Sequence, residues 1–353
     1  MQQTDALLAA DIGGTHSRFA LFRLVRHQDR AHLRLEKSIV FQTKAYAGIT
    51  EVVAELERTD KGKAFLPPSG SPERPVAAVL AIPGPAAVSS PSESADREEE
   101  VQLPNVRWPI SWREAASALG IPTVRLINDF VAQGFACAAV PEILETEEII
   151  PGVSREGAPI ALVGAGTGLG QCLIFPWSVP FIQPSEGGHT PYPFLNEEEA
   201  AFGRVLARAA GTEVAERDHI LSGTGVAALY HHMTGLTLSH HEATARLARG
   251  LPEDAGILEA YARFYARACR DFVIMSLARG GLFITGGMAS RLPAALRHPE
   301  FLREFHNMQS VRHILEQVPV RHVCNQAAGL WGAAVFAALS LYGELNLQAE
   351  EHR

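Results

Sequence analysis

Leu7-Leu8-Ala9-Ala10-Asp11-Ile12-Gly13-Gly14-Thr15 leads directly into a second apolar run, Phe19-Ala20-Leu21-Phe22. Apolar strand, glycine turn and apolar strand in that order predict a β-hairpin. A second stretch has the same layout. Ile160-Ala161-Leu162-Val163 runs into Gly164-Ala165-Gly166-Thr167-Gly168-Leu169-Gly170, and residues 171–175 are again mostly apolar. Two such hairpins, one in each half, predict a duplicated α/β architecture. The second glycine run is not a dinucleotide fingerprint, which needs a helix directly after its glycines; here a strand-like segment ends at Pro176. It is not a Walker A loop either, since no Gly-Lys-Ser/Thr follows.

Outward from these hairpins the pattern stays α/β. Apolar strands over 76–82 and 124–127 run into Pro83-Gly84-Pro85 and Asn128-Asp129, and an apolar helix is expected over 130–140. Residues 60–75 and 86–100 read as surface loops, the latter a solvated insertion ending in Arg97-Glu98-Glu99-Glu100. The second half is mostly helical. Asn196 with Glu197, Glu198 and Glu199 caps a helix to Ala210, because acids in a first turn favour the helix dipole. A long helix is expected from Asp254 to about Leu277, then a strand over 282–285 ending at Gly286-Gly287, then a last helix over 327–342.

A chain of 353 residues with 47% apolar side chains suits two domains better than one. A net charge of -8 without a basic stripe argues against a nucleic-acid partner. Cys137, Cys172, Cys269 and Cys324 form no CxxC pair and no linear zinc spacing, so buried thiols in a reducing cytosol are expected. The apolar run at Leu7–Ala10 stops at Asp11, unlike a secretory signal. Residues 157–185 hold too much Gly and Pro for a membrane helix, and 327–343 are short for one. A cytoplasmic protein with no membrane partner is therefore expected.

Five segments carry candidate chemistry. In Asp11-Ile12-Gly13-Gly14-Thr15 the glycine turn can present N–H groups to phosphate, Thr15 a hydroxyl, and Asp11 a carboxylate for a hydrated Mg²⁺. A plain tight turn reads equally well. Gly166-Thr167-Gly168 can form a second phosphate-binding turn, against the alternative of a flexible one. Asn128-Asp129 ends a strand, where ligands of open α/β sheets bind, and a carboxylate there can take a proton from an attacking hydroxyl. An ordinary N-cap is the competing reading. Glu186-Gly187-Gly188-His189 offers an acid and an imidazole for sugar hydroxyls, or is an incidental polar loop. The pairs His231-His232 and His240-His241 lack a third metal ligand at sensible spacing. Gly286-Gly287 lets a flat adenine approach the backbone, or merely turns the chain.

Taken in order, these segments resemble the bacterial glucokinase family. The match runs through D-x-G-G-T at Asp11–Thr15, N-x-x-W at Asn105–Trp108, L-I-N-D-F at Leu126–Phe130, and G-A-G-T-G-L-G at Gly164–Gly170. It continues through E-G-G-H at Glu186–His189, L-S-G at Leu221–Gly223 and T-G-G at Thr285–Gly287, and Asn325-Gln326-Ala327-Ala328-Gly329-Leu330-Trp331-Gly332 is similar to the family's closing N-x-x-G-L-x-G turn. The resemblance implies a two-domain actin-like ATPase fold of the ribonuclease H-like class, closing on ATP and sugar. It implies that Asp129 is general base for the 6-hydroxyl of glucose, while Asn128, Glu186, His189 and Asn105 line the sugar pocket. It further implies that the turns at Asp11–Thr15 and Gly166–Gly168 bracket the phosphates and that Gly286-Gly287 flanks adenosine. A homodimer is suggested in the same way.

Where the family has E-R-x-L-S-G, this chain has Asp218-His219-Ile220-Leu221-Ser222-Gly223. Asp218 takes the place expected of a sugar-binding glutamate, one methylene shorter, with Glu216 the other acid nearby. The expected reaction is ATP-dependent phosphorylation of glucose. A different hexose or an amino sugar, and a catalytically silent sugar or nucleotide sensor, are the rivals. The expected domains are a small one over 1–138 with the C-terminal 323–353, and a large one over 139–322.

Overall fold

The computed structural model describes residues 3–27, 30–68, 70–84, 91, 100–103 and 106–351. Asn105, and all of 86–100 except Pro91 and Glu100, lie outside them.

A first six-stranded sheet is built around β1 (Gln3–Ile12), whose interior residues Ala6–Ala10 are all buried. Near-continuous apolar sequence is what a strand covered on both faces requires. β2 (His16–His27) returns antiparallel and places Arg18 directly opposite Asp11. β3 (Arg30–Gln42), a strand the sequence pattern did not reveal, continues the meander and pairs with β2. β4 (Ala77–Ile82) runs parallel to β1 on the other side. Between β3 and β4 comes α1 (Ile49–Arg58). A two-stranded ribbon, β5 (Val101–Gln102) with β6 (Pro109–Ile110), precedes α2 (Trp112–Leu119). β7 (Thr123–Asn128) then pairs parallel to β4, with Asn128 opposite Ile82. Asp11 and Asn128 therefore end strands that run the same way through β4.

α3 (Asp129–Ala139) follows β7 without a break. It packs on α13 (Ala328–Tyr342) through the edge-to-face pair Phe135–Phe336, with centroids 5.2 Å apart. A Cβ on Gly332 would overlap the carbonyl oxygen of Ala132, so only glycine allows this approach. Trp331, fully buried, meets Phe22 of β2 edge to face at 4.9 Å. β14 (Asn346–Glu351) finishes the sheet beside β3, giving the order β14-β3-β2-β1-β4-β7.

The second sheet has the order β11-β10-β9-β12-β13-β8. Its strands are β8 (Thr146–Ile150), β9 (Ile160–Ala165), β10 (Leu169–Phe175), β11 (Phe181–Ser185), β12 (Gly281–Thr285) and β13 (Val320–Val323). β12 lies parallel between β9 and β13, and β8 closes one edge antiparallel to β13. Helices α4 (Glu197–Ala210), α5 (Arg217–Leu221), α6 (Gly223–Thr234), α7 (His240–Leu247) and α8 (Ala255–Ser276) separate β11 from β12. Four short helices, α9 (Gly287–Arg291), α10 (Pro293–Leu296), α11 (Pro299–Phe305) and α12 (Arg312–Leu315), lie between β12 and β13. Inside this unit, Arg267 of α8 is only 1% exposed and binds Glu199 at 2.6 Å and Glu304 at 2.8 Å.

The contacts divide the chain into two compact units. One comprises residues 1–145, 174–184 and 325–353; the other comprises 146–173 and 185–324. Cys137, Cys172 and Cys269 are buried, but Cys324 is exposed, contrary to the expectation for all four, because it follows the last residue of β13. Among the described residues no helix is long and apolar enough to cross a membrane.

Candidate active site

In the first unit the backbone N–H of Gly13 donates to His16 O at 2.9 Å, closing the β1–β2 turn. Thr43 locks the turn from outside, its hydroxyl donating to Gly13 O at 2.7 Å and its N–H to Thr15 O at 2.9 Å. Ile12 is buried beneath the turn, while Gly14 and Thr15 stand at its surface. Asp11 ends the strand with a half-buried carboxylate whose Oδ2 lies 3.3 Å from Arg18 Nη1. Burial raises the Asp11 pKa, and the Arg18 charge works against that rise. Gly329, near the start of α13, faces this carboxylate; a Cβ there would be 3.4 Å from it.

Asn128 is the N-cap of α3, as the simpler reading had it. Its Oδ1 accepts from Phe130 N at 2.9 Å and Val131 N at 3.1 Å, and its Nδ2 donates to Gly84 O at 2.9 Å. A side-chain amide has a second N–H to offer a ligand, so capping and binding are compatible. Asp129 occupies the first helical position, half-buried, with Oδ1 accepting from Phe130 N at 3.0 Å. The cap fixes the helix start and thereby the carboxylate.

In the second unit the turn after β9 is closed by Gly166 N donating to Gly168 O at 2.7 Å. Gly286 has φ 92° and packs so closely on Ala165 that a Cβ would overlap that residue's carbonyl oxygen. Both facts require glycine. A Cβ on Gly166 would lie 4.0 Å from Gly287 N, so these two glycine turns adjoin. Gly223, at the start of α6, joins them by donating its N–H to Gly166 O at 3.4 Å. Gly166, Thr167, Gly168, Gly286 and Gly287 are thus gathered in one backbone-rich shelf.

The polar trio of this unit differs from the sequence reading. His189 Nδ1 lies 2.8 Å from Glu216 Oε2, and its Nε2 lies 3.8 Å from Glu186 Oε2. Glu216 reaches it because residues 216–217 bridge the E-G-G-H backbone: Pro191 pairs with Glu216, and Arg217 N donates to Thr190 O at 3.2 Å. The hydrogen bond to Glu216, with the charges of Asp218, Glu216 and Glu186, raises the His189 pKa. The two glycines of the motif give clearance: a Cβ on Gly187 would overlap Gln171 Oε1, and one on Gly188 the Leu169 carbonyl.

Asp218, by contrast, accepts a hydrogen bond from Leu169 N through Oδ1 and packs against Gly168. Its carboxylate buttresses the turn after β9, and Glu216 is the acid paired with His189. The available signal was the dipeptide Glu216-Arg217, an intact E-R placed two residues further from Leu221-Ser222-Gly223 than in the family motif.

A family model described as Glucokinase matches residues 8–340. The glucokinase of Trichormus variabilis is 27% identical, covering 94% of this chain and 98% of its own. That of Xanthomonas oryzae pv. oryzae is 29% identical, covering 94% of each. A crystal structure of glucokinase from an Antarctic psychrotroph superposes with a TM-score of 0.75 at 26% identity, covering 95% of this chain and 99% of that one. A glucokinase from Balamuthia mandrillaris in complex with glucose shares the fold, with a TM-score of 0.70 at 17% identity over 95% and 94%. With two α/β units and an ordered motif set that spans the matched region, the chain has the two-domain actin-like ATPase fold and belongs to the glucokinase family.

Proposed function

We propose that this chain transfers the γ-phosphoryl group of ATP to the 6-hydroxyl of glucose, giving glucose 6-phosphate and ADP. The observation that carries the reading is the capped carboxylate of Asp129 at the end of β7. Asp129 takes the 6-hydroxyl proton as the sugar oxygen bonds to the γ-phosphorus, and the bond from that phosphorus to the β-phosphate oxygen breaks. Positioning and electrostatics supply most of the acceleration in such a transfer. Asn128, Glu186 and His189 hold sugar hydroxyls, with Asn105 in the same role, and Glu216 orients His189. The turns at Gly13-Gly14 and Gly166–Gly168 present to phosphate oxygens the N–H groups not used in closing them, those of Gly13 and Gly166 being bonded to His16 O and Gly168 O, and Gly286-Gly287 leaves room for the adenosine.

A single carboxylate at a strand end suits Mg²⁺, which keeps several waters and shares phosphate ligands. Asp11 would hold the ion through such waters, and the ion would neutralise charge on the transferred group. Use of ATP and a free hexose fits a cytoplasmic setting.

The test is ADP release with ATP-Mg²⁺ against a panel of hexoses, beside Asp129→Asn. Asparagine keeps an oxygen for the Phe130 N–H, so this variant should fold, and it should lose nearly all turnover. Full activity in the variant removes Asp129 as base. Turnover with another hexose alone reassigns the substrate, and sugar binding without any turnover makes the protein a sensor.

A further inference from the structure

Outside the glucokinase site, the edge of the second sheet gathers three unlike donors. β8 and β13 pair antiparallel with Glu147 directly opposite His322. Directly opposed residues on paired strands share a face, and residues two apart along an extended chain do the same. Register therefore brings Glu147, His322 and Cys324 together although 175 residues separate the first two in the chain. Linear spacing, which excluded a zinc motif, had no means of including Glu147.

The distances fit a small tetrahedral ion. Cys324 Sγ lies 3.7 Å from His322 Nδ1, which lies 3.9 Å from Glu147 Oε2, and the three ligand atoms are all within 4.8 Å of one another. Zinc bonds of about 2.0 Å to nitrogen or oxygen and about 2.3 Å to sulfur give tetrahedral edges of roughly 3.3–3.5 Å. Shifts of a few tenths of an ångström to about an ångström close the site. We propose that Glu147, His322 and Cys324 form a binding site for a zinc-class divalent ion, with solvent in the fourth position. Thiolate, imidazole and carboxylate together select Zn²⁺ over the hard ions Mg²⁺ and Ca²⁺.

The ligands are in suitable forms. Arg297, bonded to Glu147 at 2.6 Å and 2.8 Å, holds that carboxyl below its usual range, and burial keeps the His322 imidazole neutral. Arg297 takes one lone pair from each Glu147 oxygen and leaves another for the ion. Its side chain is 57% exposed, so the guanidinium can also swing into water. His322 is anchored at 4% exposure, while Cys324 is open to solvent and gives the ion an entry path. Binding releases the Cys324 thiol proton to solvent and clamps β13 to its edge strand.

The test uses the full chain, stripped by chelator and titrated with Co²⁺ and then Zn²⁺. One equivalent of Co²⁺ should give a near-ultraviolet sulfur-to-cobalt band, which Zn²⁺ displaces while raising Tm. Cys137, Cys172 and Cys269 are buried, so the band has to come from Cys324. Cys324→Ser should abolish the band and the Tm rise; Glu147→Gln should keep the band and weaken affinity about tenfold. Both substitutions lie away from the residues assigned to phosphoryl transfer, so glucose phosphorylation continues. Absence of the band at stoichiometric Co²⁺, or a band unchanged in Cys324→Ser, overturns the site.

Discussion

Glu216 holds His189 through a 2.8 Å contact between Oε2 and Nδ1, while Asp218, two residues along, accepts instead from the backbone of Leu169. The two acids thus hold different groups, one an imidazole and the other the backbone of the turn after β9. A hydrogen bond to a charged partner contributes about 1.5–3 kcal/mol. Glu216→Gln should therefore raise the glucose KM about tenfold or more and leave the ATP KM unchanged. Asp218→Glu should do the reverse, raising the ATP KM, because a longer side chain displaces the turn at Gly168. Steady-state kinetics with each substrate varied separately read both outcomes. A lower glucose KM in Asp218→Glu would return Asp218 to the sugar.

The same pair predicts a pH dependence. The Glu216 bond and the surrounding acids raise the His189 pKa above the ordinary 6.5. The imidazolium therefore persists to higher pH than that of an ordinary histidine, and its charge is lost as pH rises through the raised value. The glucose KM should increase across that window. In Glu216→Gln the midpoint should move to lower pH. A midpoint unmoved by the substitution would mean that another group titrates.

Sequence pattern was sufficient for the hairpins at Asp11–Thr15 and Gly164–Gly170, because strand, glycine turn and strand are local features. The capping by Asn128 and Asn196 was legible for the same reason. β3 was not, since its alternation is interrupted by Arg30, Arg34, Glu36 and Lys37, and its pairing with β2 shifts register near Leu21. The partner of His189 was missed because two residues more than in the family motif stand between Glu216 and Leu221. The backbone ties of residues 216–217 to Thr190 and Pro191 restore the acid's position. The Glu147–His322 pairing was hidden because strand register is a tertiary property.

Gly332 sets how closely α13 approaches α3. An added methyl meets a backbone carbonyl, which cannot rotate away as a side chain can. Gly332→Ala should destabilise the first unit by about 3 kcal/mol and reduce turnover by moving the helix that carries Asp129. Denaturant melts beside activity assays check this, and a variant of unchanged stability would mean that the helices separate freely.

Arg267 joins Glu199 and Glu304 inside the second unit. Removing it breaks two buried ion pairs and leaves Glu199 with Arg263 at 3.2 Å and Glu304 with Arg270 at 2.9 Å; with those partners remaining, the cost should fall at the lower end of the range for a broken buried pair, about 3 kcal/mol. Arg267→Ala should show that loss in a denaturant melt. Burial pushes the Glu199 pKa up, but the Arg267 bond, the Leu195 N–H and nearby arginine charge outweigh it and hold it low. Its contribution is thus present above the unfolded carboxylate pKa and disappears as pH falls through the depressed one. The variant should lose part of its acid sensitivity.

Tyr342 Oη donates to Asp5 Oδ2 at 2.7 Å across 337 residues of chain, and the Arg26 guanidinium covers the same ring. During synthesis, β1 leaves the ribosome long before the helix that covers it. The second unit, complete by Cys324, has all its strands before α13 exists. The half carrying Asp11 and Asp129 must therefore wait with an uncovered apolar face until α13 has been made. Chaperone dependence and proteolytic loss of nascent chains should concentrate in that interval, and catalysis should appear only once it has closed.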